Sequence, residues 1–386
     1  MLTPRINFTN FKIKINNLRI KKELKNLLQQ NSEIIKSLGL NYSYSYNKTK
    51  LKKFKRKKFF RIIGIGGSIL GTKAIYYFLK KKINKKFLFI DNLIPNLRHD
   101  TKKSYTNIIV SKSGNTIETI INSNILIKKK DENIFITENK NNYLNVLAQK
   151  LKSEVIHHNN FIGGRYSVLS EVGMLPAELM GLKPNKFRRL NMLVNNKKFL
   201  NSLVQNVACT LELVKKRKYN SIILNYDKNS SDLFFWYQQL IAESLGKKNK
   251  GILPIISNMP KDNHSLMQLY LDGFRNNFYT FFFVKENYSK NIINKDLLKS
   301  HFYLKNKNLD DVKFSQYMAT EKIFKRKKIP YRTFLLKKRN EESLGELFVF
   351  FILETILLGK SLKVNPYNQP SVELIKTDTK KFLSNH

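Results

Sequence analysis

From residue 59 onward the chain repeats one local pattern: a short apolar, β-branched run, a turn rich in Gly or Ser, then a helical stretch. Strands at 59–65, 86–90, 107–110 and 133–136 alternate with helices at 70–80, 116–129 and 144–151. A helical middle follows at 168–180 and 199–217. The alternation restarts with strands at 221–225, 252–256, 279–284 and 333–336 and helices at 232–245 and 265–272, and closes on a long apolar helix at 344–358. Strands that alternate with helices predict parallel sheets covered on both faces. The expectation is an α/β protein of two doubly wound halves. A polar lead-in covers 1–58, with a helix at 18–38, and the halves fall at 59–183 and 184–345. A helical tail follows at 346–386. No short repeat points to a solenoid.

Composition excludes several classes. A single cysteine, Cys209, rules out an internal disulfide framework and an all-cysteine zinc cluster. The longest apolar run, 347–358, contains Glu354 and is shorter than the ~18–20 residues of a membrane span. No secretory signal is recognisable, so the expected compartment is a reducing cytoplasm, without membrane association. Lys and Arg number 71 against 28 acids, a net charge of +43. Such a charge suits a nucleic-acid surface. However, Asn, Ile, Phe and Tyr are enriched along with Lys, as A/T mutation pressure would do. The basic residues are also spread along the chain. Drift therefore accounts for the charge better than specific nucleic-acid binding. The field still steers anionic ligands.

Two turns carry phosphate chemistry. Gly64-Ile65-Gly66-Gly67-Ser68 lies between a strand and a helix, where backbone N–H groups face an anion. It fails the dinucleotide fingerprint, because Ile69 stands at the third glycine. Ser111-Lys112-Ser113-Gly114-Asn115-Thr116 has the same placement and adds three hydroxyls and an ammonium. Each turn alone also reads as an ordinary tight turn or N-cap. Together, on neighbouring βα units, they point to a small phosphorylated ligand at the carboxyl ends of adjacent strands.

Further motifs follow. Gly163-Gly164-Arg165-Tyr166-Ser167 sets a guanidinium in a flexible turn, suited to an oxyanion or simply to the surface. Gln239 and Glu243 are four apart on one helix face, where a desolvated carboxylate can act as a general base or a solvated one does nothing. His264 starts a short helix, and Lys376 follows Asn368-Gln369-Pro370-Ser371-Val372-Glu373.

In this order the motifs resemble the phosphoglucose isomerase (glucose-6-phosphate isomerase) family in its compact bacterial form. The stretch 163–176 carries most of the likeness. Pro260-Lys261-Asp262-Asn263-His264-Ser265, running on into Gln268-Leu269-Tyr270-Leu271-Asp272-Gly273, adds to it. The resemblance covers about 59–382 and leaves 184–220 and 285–340 weakly matched. It implies two sugar-isomerase (SIS-type) domains and reversible isomerisation of glucose 6-phosphate and fructose 6-phosphate through a cis-enediolate, with no metal and no other cofactor. By motif, Glu243 is the base, Arg165 steadies the enediolate, and His264 with Lys376 opens the ring. Gly67 and Ser68 contact substrate; Ser111, Lys112, Ser113, Gly114, Asn115 and Thr116 hold its phosphate; Gln239 lines the sugar. The resemblance also implies a homodimer with shared sites, His264 coming from the partner. Asn115 and Asn263 depart from the commoner residues, and Glu171 is unusual. Two alternatives stand beside the enzyme: a non-catalytic sugar-phosphate binder and a nucleic-acid binder. Activity on mannose 6-phosphate is left open.

Overall fold

The computed structural model describes residues 2–13, 15–95, 104–128, 131–286 and 299–385. Its described strands form two five-stranded sheets. β1 (Ile6–Thr9) belongs to the second. The first contains β2 (Phe59–Ile63), β3 (Lys86–Ile90), β4 (Thr106–Val110), β5 (Glu132–Thr137) and β6 (Glu154–His157), in the order β3-β2-β4-β5-β6. Every pairing in it is parallel. The second contains β7 (Asn220–Asn225), β8 (Leu253–Asn258), β9 (Asn277–Val284) and β10 (Tyr331–Leu336), in the order β1-β10-β9-β7-β8. Its pairings are parallel except for β1, which runs antiparallel along β10 from Ile6 opposite Leu336 to Thr9 opposite Thr333.

The chemistry of the strands explains the sheets. β4 is buried at every residue, and β9 likewise, because helices cover both faces. In the first sheet the chain steps outward from β2 to β3, then returns to lay β4 on the other side of β2. That reversal leaves a crevice at the carboxyl ends of β2 and β4, where open α/β sheets bind ligands. The second sheet reverses in the same way between β7 and β9.

The helix Glu341–Ser361 is apolar on all sides and buried from Leu344 to Gly359, as a core helix must be. Its two interior carboxylates are paired: Glu354 with Arg332, Asn206 and Tyr237, and Glu346 with Thr3 and Arg5. One continuous apolar core joins the lead-in, both sheets and this helix. Among the described residues no helix is long and apolar enough to cross a membrane.

The expected α/β architecture with parallel sheets is present. The expected helix at 18–38 is two, Leu18–Gln29 and Glu33–Ser37, split where Ser32 caps the second. The helix expected at 116–129 spans Ile117–Leu126; Lys129 lies outside the described residues. The stretch 168–180 is a 3₁₀ turn, Gly164–Leu169, followed by the helix Glu171–Leu179. β1, β6 and the helix Leu309–Arg326 have no counterpart in the sequence reading. The antiparallel β1 makes the second sheet mixed rather than wholly parallel.

Candidate active site

Both glycine and serine turns open at the crevice of the first sheet. Gly66–Ser68 forms one 3₁₀ turn between β2 and the helix Leu70–Phe78. A methyl placed on Gly64 would lie 2.9 Å from the Val110 carbonyl and 3.2 Å from Ser68 Cβ, so the first turn leans on the end of β4. Beyond Val110 the second turn begins. Ser111 and Thr116 hydroxyls meet at 2.8 Å, and the Gly114 N–H donates to Ser111 Oγ at 3.2 Å. Gly114 has φ +69, a conformation suited to glycine, and a Cβ there would strike Asn142 at 2.1 Å. Lys112 donates to the Asn160 carbonyl (2.7 Å) and lies 3.4 Å from Glu138, while Ser113 and Asn115 are exposed. Asn115 uses its side-chain oxygen to accept from the Tyr143 N–H at 3.0 Å. The helix Ile117–Leu126 starts just past Thr116, so the free N–H groups and positive dipole end of its first turn lie at this loop.

Gly67 brings the third turn in. A Cβ on it would lie 2.2 Å from the Gly164 carbonyl carbon and 2.5 Å from the Arg165 nitrogen, so two backbones touch. Arg165 follows and is 2% exposed. Each nitrogen of its guanidinium has an acceptor. Nε donates to Ser244 Oγ (2.8 Å); Nη1 to Glu243 Oε2 (3.1 Å) and Gln369 Oε1 (2.9 Å); Nη2 to the carbonyls of Pro366 (2.7 Å) and Asn368 (3.1 Å). The Trp236 indole N–H holds the Arg165 carbonyl at 3.2 Å. Trp236, Gln239, Glu243 and Ser244 all ride on the helix Ser231–Leu245.

Gln239 Nε2 donates to Glu243 Oε1 at 2.8 Å, and a Cβ on Gly66 would lie 2.9 Å from the same nitrogen. Gln239 Oε1 is buried without a partner. The Glu243 side chain is 29% exposed, and Gly67, Ser68 and Gln239 are likewise partly exposed. Thus Gly67, Ser68, Arg165, Gln239 and Glu243 converge beside the Ser111–Thr116 turn.

His264 and Lys376 stand outside this cluster. His264 is exposed on the turn after β8, where Asp262 receives Ser257 Oγ, the Asn258 N–H and Ser265 Oγ. Asn263 Oδ1 beside it is buried without a partner. Lys376 lies on the helix Pro370–Ser384, none of whose side chains is buried, and pairs with Glu373 at 2.8 Å. This helix begins directly after Gln369, which touches Arg165.

Four participants went unread in the sequence: Ser244, Gln369, the Pro366 carbonyl and Lys247. Lys247 donates to the carbonyls of Ser244 (2.9 Å) and Asn365 (2.6 Å), pinning the 365–369 strap to the helix. Burial, aided by repulsion from Arg165, pushes its pKa down to about 8 against the pull of Glu243. Gln369 lay in a motif already singled out and Ser244 directly follows Glu243 in another, though neither was given a role; the others carry no signal short of the folded contact. Among the described residues no group of three or more His, Cys, Asp or Glu side chains is placed to hold a metal ion.

Residues 50–386 match the family described as Phosphoglucose isomerase. The chain belongs to that family. A glucose-6-phosphate isomerase of Methanocaldococcus jannaschii is 33% identical over 354 residues, 86% of this chain and 85% of the relative. The fold also recurs among solved structures. A hypothetical protein of Thermus thermophilus superposes with TM-score 0.81 at 23% identity, over 95% of this chain and 94% of that one. A glucose-6-phosphate isomerase of Chlamydia trachomatis does so with TM-score 0.73 at 16% identity, over 95% and 83%.

Proposed function

We propose that this protein is a cytoplasmic glucose-6-phosphate isomerase that interconverts glucose 6-phosphate and fructose 6-phosphate. The observation that carries the reading is a buried Arg165 in direct contact with the partly exposed Glu243, on a third turn packed against the first of two glycine- and serine-rich turns at the switch point. In the open-chain aldose Glu243 takes the C2 proton and returns it to C1, while a proton passes from O2 to O1. The negative charge of the intervening enediolate falls next to the guanidinium, where loss of one such donor costs roughly 3 kcal/mol. Of the five acceptors on Arg165, only Glu243 and Gln369 are long side chains that can turn away, so substrate oxygens take their place. The buried lone acceptor Gln239 Oε1 suits a sugar hydroxyl donor. Ser111, Lys112, Ser113, Gly114, Asn115 and Thr116 hold the phosphate, and Gly67 and Ser68 contact the sugar phosphate.

His264 and Lys376 open the ring, and His264 comes from the partner of a homodimer. The exposed imidazole supports this, as does the unpacked helix Pro370–Ser384, with Ile375 and Phe382 each 70% exposed. Residues 59–183 and 184–345 serve as the two sugar-isomerase domains.

A coupled assay on fructose 6-phosphate tests the activity. Wild type turns over, and Glu243→Gln loses about 10²–10⁴-fold in kcat; unimpaired turnover in that variant rejects the assigned base. Mixing tests the shared site. Equal parts of Glu243→Gln and His264→Ala, dissociated and reassociated, should regain about a quarter of wild-type activity, because half the dimers are hybrids with one whole site. No recovery, despite proven hybrid dimers, rejects it.

A further inference from the structure

The helices Leu70–Phe78 and Ser231–Leu245 carry opposite walls of the site: the Gly67–Ser68 turn precedes the first, and Gln239 and Glu243 lie on the second. They pack antiparallel and are tied at three levels. At the site, Gly66 abuts Gln239. Midway, Lys73 reaches Asp232 at 3.5 Å and Asp91 at 2.7 Å. At the far end a single side chain, Arg339, bridges both. Its Nη1 donates to the Phe78 carbonyl at the end of the first helix (3.2 Å), and its Nη2 to Asp227 Oδ1 just ahead of the second (2.8 Å). Asp227 in turn accepts from Ser230 Oγ, at the residue that starts that helix. Nε donates to Glu286 Oε2 at 2.7 Å, and the guanidinium lies 4.7 Å from the centre of the Phe78 ring. The Arg339 side chain is 5% exposed. Its neighbour Asn340 caps the helix Glu341–Ser361, which fixes the backbone from which Arg339 projects.

Asp227 follows β7 and Glu286 follows β9, so Arg339 fills the crevice of the second sheet, the counterpart of the crevice that receives substrate in the first. We infer that Arg339 is a positioning residue for catalysis: it sets the lengthwise register of the two helices, and so the place of Glu243 against the Gly67–Ser68 turn. The planar fork matters, because it spreads donors over three nitrogens, whereas an ammonium's three donors share one nitrogen and cannot span the distance between the Phe78 carbonyl, Asp227 and Glu286. A slip at this end moves both site walls as rigid rods. The Ser111–Thr116 turn sits on a different helix and is untouched by the bond set of Arg339.

The inference rests on the isomerase reading. It is tested with Arg339→Met, Arg339→Lys and Asp227→Asn, by steady-state kinetics on fructose 6-phosphate and by competitive inhibition with inorganic phosphate. Expected is a fall in kcat of about 10²-fold for Arg339→Met, since a misplacement near 1 Å costs that much. Arg339→Lys should fall about tenfold, as charge is kept and the fork lost. The phosphate inhibition constant should stay within about twofold, because the Ser111–Thr116 turn is untouched. If Arg339→Met does not fold, Arg339→Lys and Asp227→Asn carry the test, each with an expected fall in kcat of about tenfold. Unchanged kcat in folded variants overturns the inference while leaving the isomerase standing. So does a loss of phosphate affinity in step with kcat, which marks a general loosening. A wild-type chain without turnover refutes the isomerase reading and the inference with it.

Discussion

A methyl group on Gly67 would have nowhere to go, because the atoms it meets at 2.2–2.6 Å are the backbone of Gly164 and Arg165 rather than a movable side chain. Gly67→Ala should therefore push the first turn off Arg165, costing about 2–3 kcal/mol of stability by denaturant melt and most of the turnover. Lys247 gives a pH test. Its folded pKa, about 8, lies below the ordinary 10.5. Below pH 8 both folded and unfolded states carry the charge, and the full cost of burying it is present. Between 8 and 10.5 the unfolded chain binds the proton and the folded one does not, so stability rises with pH. The stability gap between wild type and Lys247→Met should therefore move in favour of wild type from about pH 8 to about pH 10, and a flat difference would refute the shift. The motifs already contained Arg165, Gln239 and Glu243, because an Arg after two glycines and two polar residues four apart are visible in one dimension. Lys247 and the Pro366 carbonyl were not, and Ser244, next to Glu243, had no role there: each acts only because distant segments meet at Arg165.

Among the elements, those buried on both faces were the most legible. β2, β4 and β9 read as short, mainly apolar and β-branched or aromatic runs because their burial leaves room for few polar residues, Arg61, Asn107 and Thr280 among them. β1 and β6 are four-residue edge strands and lack that signal. The helix Leu309–Arg326 buries only Tyr317, Thr320 and Phe324, so charge masks its apolar face. The tail helix Pro370–Ser384 makes the opposite case, with a recognisable sequence and no packing on the chain described. Ending the protein after Gln369 should collapse turnover through the loss of Lys376 while the chain still folds, as no side chain of that helix is buried within it. A large drop in melting temperature on truncation would show that the helix packs in solution. In the phosphate turn, Ser111→Ala removes hydroxyl contacts to Thr116 and Gly114 and should raise KM about fivefold, the worth of one hydrogen bond near 1 kcal/mol, with kcat little changed.

For the molecule as a whole the dominant quantity is a charge of +43. Carboxylates are too few to pair with the ammonium groups, so the folded state carries net self-repulsion that salt relieves within a screening length of about 10 Å at 0.1 M. The melting temperature should rise by several degrees between low and moderate ionic strength, and a flat profile would show that the charges are spaced widely enough to ignore one another. The charge does not define the site, which is built from glycine turns, one buried guanidinium and one carboxylate.

The pairing of β1 with β10 bears on synthesis. Ile6 lies opposite Leu336, so the second sheet gains its edge from a segment made more than three hundred residues earlier. At ribosomal speed β1 waits on the order of 20–60 s for its partner. The first sheet draws on no residue beyond β6 and can assemble in that interval. The nascent chain thus carries a paired first sheet with a loose thread ahead of it, while the shared core waits for the later helices. A bulky fusion before β1, or a chaperone that binds it, acts on the last pairing to form in the fold rather than the first.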